Sequence, residues 1–76
     1  MTNIRIFRYR IDPKLVKRED IVMNTGMFLT TVIDTIRKEA MKGPVRIFLH
    51  ECENMVHFRA ILKDNFPNIK VYKVLK

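Results

Sequence analysis

Cysteine is almost absent: Cys52 is the only one in 76 residues, so no internal disulfide can form. Without a cysteine framework the chain reads as an intracellular protein of a reducing compartment. Tryptophan is missing, and only two glycines and three prolines punctuate the chain. Neither an internal repeat nor a low-complexity stretch is present. No apolar run approaches the roughly 20 residues needed to cross a bilayer, so no membrane span is expected. No apolar block follows the N-terminal charges, which argues against a secretory signal. Acids are scarce, at eight Asp and Glu against fifteen Lys and Arg, a formal net charge of +7. Such an excess suits a polyanion: RNA, DNA, anionic lipid or an acidic protein face.

Hydrophobic residues make up 47% of the chain, enough for a core and too many for a disordered protein. The length sets a single domain, 1–76, with a thin margin of stability. Domains this small often lean on a metal or a partner.

The first strand is expected over Asn3–Ile11, "NIRIFRYRI". Its apolar residues change parity at Phe7, which implies either a bulge or an interior strand buried on both faces. Its acid-free Arg5, Arg8 and Arg10 also resemble an organelle-targeting bias, but the alternation suits a strand better. Asp12–Asp20 reads as a polar loop opened by Asp-Pro. A short strand is expected over Asp20–Asn24. Thr25 or Asn24 can cap a helix whose stripe is Phe28, Leu29, Val32, Ile33, Ile36 and Ala40. Arg37, Lys38 and Lys42 suit its C-terminal dipole, and Gly43-Pro44 ends it.

A strand follows over Val45–His50, apolar on both faces except Arg46 and His50, as an interior strand would be. A second helix over Asn54–Asp64 buries Met55, Phe58, Ile61 and Leu62, and "NFPN" closes it. The last strand is Ile69–Leu75. The expected architecture is α+β: a mixed sheet of three or four strands with two helices in two layers.

Cys52 and both histidines, His50 and His57, fall between the third strand and the second helix. Residues two apart on a strand share a face, so His50 and Cys52 are expected to point the same way. A thiol just before a helix has a route to a lowered pKa. Zinc wants four nitrogen or sulfur ligands, and here there are three such residues, with Glu51 or Glu53 as poor supplements. A Cys–His nucleophile needs a third orienting group, and none is evident. The plainer reading is a buried thiol beside two surface histidines, with no metal, no cofactor and no catalytic residue.

"IRIFRYRIDP", Ile4–Pro13, resembles the opening strand and turn of the iron–sulfur subunit of succinate dehydrogenase. "GMFLTTVIDTIRKE", Gly26–Glu39, is similar to that family's Gly-Met-x-Leu helix, and "VRIFLHEC" is similar to its strand ending in a cysteine. The resemblance covers residues 3 to 52 and implies a ferredoxin-like β-grasp, in which a mixed sheet wraps a helix. In that family the cysteine opens a Cys-x4-Cys-x2-Cys run holding a two-iron cluster. Here the later positions are His57 and Ala60, so the resemblance implies a domain whose cluster has been lost. "PVRIFLHEC" is also similar to a strand of a small thioredoxin-like group of mitochondrial ribosomes and respiratory complex I, which implies a truncated βαβαβ fold.

Both resemblances imply a small accessory subunit, without enzymatic activity or an iron–sulfur cluster, of a large mitochondrial assembly. A respiratory complex of the complex II type, on the matrix side, is the first expectation. Its partners would be protein subunits, with no small-molecule substrate. The alternative is a small basic RNA-binding protein of ribosomal kind. Its polyanion contacts would be Arg5, Arg8, Arg10, Lys14, Lys17, Arg18, Lys70 and Lys73, with Lys76 at the end of the chain. Tyr9 and Tyr72 would supply stacking, although core or rim positions suit them better.

Overall fold

A computed structural model describes residues 1–26, 29–52 and 55–74. Met27 and Phe28, Glu53 and Asn54, and Leu75 and Lys76 lie outside the described residues. So do the helix-stripe role of Phe28, the Met of the Gly-Met motif, and the expected helix start at Asn54. The ligand candidate Glu53, the strand end at Leu75 and the phosphate contact at Lys76 fall there too.

The elements are β1 (Thr2–Phe7), a 3-10 turn (Pro13–Leu15), β2 (Ile21–Asn24), α1 (Leu29–Lys42), β3 (Val45–His50), α2 (Val56–Asn65) and β4 (Lys70–Val74). The strands form one sheet in the order β2-β1-β3-β4. Every neighbouring pair is parallel. The expected α+β class holds, with four strands and two helices, but the sheet is parallel where a mixed one was expected. The reason lies in the connections. A parallel neighbour needs a crossover of a dozen or more residues, and residues 8–20 are long enough to be one without a full helix. The mixed sheet of a β-grasp does not form.

The steps β2 to β3 and β3 to β4 run the same way across the sheet, so right-handed crossovers put α1 and α2 on one face. There Ile4, Ile6 and Ile47 of the sheet meet Ile36 of α1 and Leu62 of α2, all fully buried, with Val32 of α1 and Leu49 of β3 nearly so. Met23, Val45, Cys52 and Phe66 complete this core. Ala40, counted in the α1 stripe, is exposed. In α2 Leu62 is buried and Phe58 and Ile61 are half-buried, as is Met55 at the helix N-cap.

The step β1 to β2 runs the other way, which sends residues 8–20 across the opposite face. Asp20 at the end of this crossover meets Arg5 on that face. The change of parity at Phe7 is thereby explained. β1 is an interior strand, its register with β3 is unbroken, and Phe7 is buried under the crossover while Ile4 and Ile6 are buried under the helices. The strand stops at Phe7, short of the expected Ile11. Tyr9 and Ile11 belong to the crossover and are exposed.

Candidate functional site

Strand registry arranges the helix-free face in rows. The first row is Asn3, Arg46 and Lys70. The second is Val22, Arg5, Phe48 and Tyr72. The third is Asn24, Phe7, His50 and Val74. Cover decreases from the third row to the first. Phe7 and His50 are buried, Phe48 is half-buried, and Arg46 and Lys70 are exposed.

The third row is closed by the crossover. Arg10, Asp12 and Leu15 sit over Phe7, His50 and Val74, leaving a cavity of only about 80 Å³. Ligands of open parallel sheets lodge outside the carboxyl ends of strands where the winding reverses, here between β1 and β3. Sites for small molecules run from roughly 300 Å³ upward, so the void under the crossover is too small for one, and the wider opening at the same end is lined by Glu51 and the crossover's own residues 9–13. The 3-10 turn is held by Asp12, which accepts from the Lys14 N–H at 3.0 Å.

The second row is a stacked column. Arg5 Nε donates to Asp20 Oδ2 at 2.7 Å, and its guanidinium carbon lies 4.6 Å from the Phe48 ring centre. Phe48 stacks on Tyr72 with centroids 5.1 Å apart and planes 18° apart. The same guanidinium reaches row three, where Nη1 lies 3.2 Å from His50 Nε2. Because arginine only donates, Nε2 must accept, and His50 is neutral with its proton on Nδ1. Burial pushes the His50 pKa down, and the Arg5 charge adds to this against an opposing pull from Glu51. The ring stacks on Phe7 with centroids 4.2 Å apart. For Asp20, burial pushes the carboxyl up, but the Lys17 N–H and the bond and charge of Arg5 outweigh it, and the pKa ends below the ordinary value.

His50 and Cys52 do not share a face, contrary to the strand-based expectation. Glu51 adopts a left-handed backbone, φ 58°, and its N–H donates to the Val74 carbonyl. That residue breaks the alternation. Cys52 turns into the helix-side core, with Sγ 3.3 Å from the His50 carbonyl oxygen. The thiol is buried as expected, but His50 is not a surface histidine; only His57, on α2, is exposed. Among the described residues no three His, Cys, Asp or Glu side chains converge as metal ligands would.

The expected polyanion contacts separate into three groups. Arg5 is drawn into the ion pair, with 14% of its side chain exposed. Arg8, Arg10, Lys14, Lys17 and Arg18 line the crossover, all exposed except half-buried Arg8, whose guanidinium lies over Tyr9. Lys70 is on the open face, while Lys73 alternates to the helix side of β4. Sequence reasoning passed over Arg46 and Phe48. The signal was available in the period-two set Arg46, Phe48, His50 of "VRIFLH", of which Arg46 and His50 stood out only as exceptions to an interior strand's apolar run.

No protein-family model, curated protein or solved structure matches this chain. No helix among the described residues is long and apolar enough to cross a membrane.

Proposed function

We propose that this chain is a non-catalytic accessory subunit of a larger assembly and that it binds RNA through the open face of its sheet. One observation carries the reading: the exposed charged residues that the strands place on that face, Arg46 and Lys70, are both cations beside two stacked aromatic rings, while Arg5 behind them is paired with Asp20. The crossover adds exposed Arg10, Lys14, Lys17 and Arg18 at its border. Positive charge tracking a phosphate backbone, with aromatic rings within reach, is how proteins hold single strands without reading sequence. A catalytic role finds no support in His50, which is buried, neutral and faces away from the thiol.

The test is binding of labelled single-stranded RNA by the whole chain across a salt series. With about four phosphate contacts the log–log slope should be near −3. No binding at about 50 mM salt, where electrostatic attraction is least screened, overturns the reading.

A second reading keeps the same face and gives it a protein neighbour, as in a respiratory complex. Half-buried Phe48 favours it, since parallel sheets are ordinarily covered on both faces. A mitochondrial location goes with the resemblances and with that reading. Apolar burial of this kind survives salt, so an association that persists at about 0.5 M salt, where the Debye length is near 4 Å, separates the two.

A further inference from the structure

We propose that the depression at the N-terminal ends of β3 and β4 is a subsite for one nucleotide of a single-stranded RNA, with the base stacked on Tyr72 and the phosphate held by Arg46 and Lys70. The proposal rests on the RNA reading above and names where a strand would be gripped.

The depression measures about 620 Å³, and Met1, Gly43, Pro44, Arg46, Lys70 and Tyr72 are among its walls. Among the described residues no carboxylate lines it. A depression of similar size, about 650 Å³, lies at the other end of the strands, but Asp12 and Glu51 stand there beside Arg10. The acids beside Arg10 offset its charge at the second, so the first, with Arg46 and Lys70, is the better place for phosphate.

Tyr72 is prepared for stacking. One ring face rests on Phe48, Phe48 is backed by the Arg5 guanidinium, and Arg5 is fixed by Asp20. A ring held by this column loses little rotamer freedom when a ligand arrives, which favours binding. β4 is the edge of the sheet, so no strand stands beyond the other ring face, and Tyr72 is 38% exposed. Lys70 lies two residues along the same strand, about 6.6 Å away, and Arg46 is its registered partner on β3. That separation matches the reach from a base across its ribose to a phosphate. The bases of a duplex are already stacked on one another, so only a single strand can present one to Tyr72. Because every base has a π-face, the site is indifferent to sequence.

The test uses the full chain and a fluorescein-labelled oligouridylate of about 12 nucleotides, within the usual footprint of single-strand binders. Tyr72→Leu keeps an apolar contact with Phe48 but removes the ring; affinity should fall roughly ten-fold or more. Tyr72→Phe should stay within about two-fold, since the ring and not the hydroxyl is used. Arg46→Gln with Lys70→Gln should flatten the salt slope by about 1.4.

A second readout needs no stability-changing variant. The chain has no tryptophan and only two tyrosines, so in Tyr9→Phe protein the tyrosine emission reports Tyr72 alone. Unlabelled oligouridylate should quench it. Binding that is undiminished in Tyr72→Leu, or an unquenched Tyr72 in RNA-saturated protein, overturns the subsite and leaves the RNA reading standing. No binding by the parent chain at low salt overturns both. A salt-resistant protein partner released by Tyr72→Leu also overturns the subsite, because the face then belongs to a protein.

Discussion

Replacing Asp20 with alanine tests whether the crossover is pinned to the sheet by charge. The Asp20 side chain is 1% exposed and that of Arg5 is 14% exposed. Removing one partner of a buried pair costs about 3–5 kcal/mol, because the other charge stays behind. Arg5 keeps some access to water, so the low end applies, about 3 kcal/mol. A chain of this length has a total stability of roughly 4–11 kcal/mol. Its unfolding entropy, about 2.1 cal/mol/K per residue, converts each kcal/mol into roughly 6 °C. Asp20→Ala should therefore lower Tm by about 18 °C in a thermal melt followed by circular dichroism. The double variant Arg5→Met with Asp20→Leu should recover most of that loss, since an apolar pair leaves no buried charge. The parent should also lose stability in acid. The folded carboxyl has the lower pKa, so its contribution is full above the unfolded value of about 4 and disappears as pH falls through the folded one. Asp20→Ala should lack that acid limb. A Tm drop below about 6 °C would refute the reasoning and class the pair with exposed ones, worth about 0–1 kcal/mol.

His50 makes stability depend on pH near neutrality. Its folded pKa lies below the unfolded value of about 6.5, so stability is full above that pH. It then declines by up to about 1.4 kcal/mol per unit as pH falls toward the folded value. Denaturant melts at about pH 7 and pH 5 should show this decline in the parent, and His50→Phe should lack it. Cys52 should react with a thiol reagent no faster than the chain unfolds; rapid labelling of native protein would contradict its place in the core. Ile47→Ala should cost about 2–5 kcal/mol by denaturant titration, as the side chain is fully buried under the helices. The purified protein should carry no stoichiometric iron or zinc, and one equivalent by metal analysis would contradict the separation of His50 from Cys52.

Much of the secondary structure was legible because its signals are local. Val32 and Ile36 at helical spacing marked α1, and Gly43-Pro44 marked its end. Val45–His50 stood out by its β-branched and aromatic run. The parity change at Phe7 was a sound sign of burial on both faces, although nothing in "NIRIFRYRI" showed which cover lay on which side. The site was read less well. The basic residues were visible, but Arg5, an obvious phosphate contact by composition, is spent on Asp20, fifteen residues away. His50 and Cys52 were paired by strand alternation, and a single left-handed residue at Glu51 separates them.

The amino-acid order by itself determined the helices, most strand positions, the absence of a disulfide and the excess of positive charge. Each of these depends on side-chain chemistry within a few neighbouring residues. Only the tertiary structure decided that all four strands run parallel, because strand direction depends on how a long connection returns. It also decided that residues 8–20 cover just one end of the helix-free face. That partial cover buries His50 and Phe7 and leaves Arg46, Lys70 and Tyr72 in the open. Their grouping depends on registry between strands some two dozen residues apart, Arg46 with Lys70 and Phe48 with Tyr72, and no local pattern encodes a contact at that range.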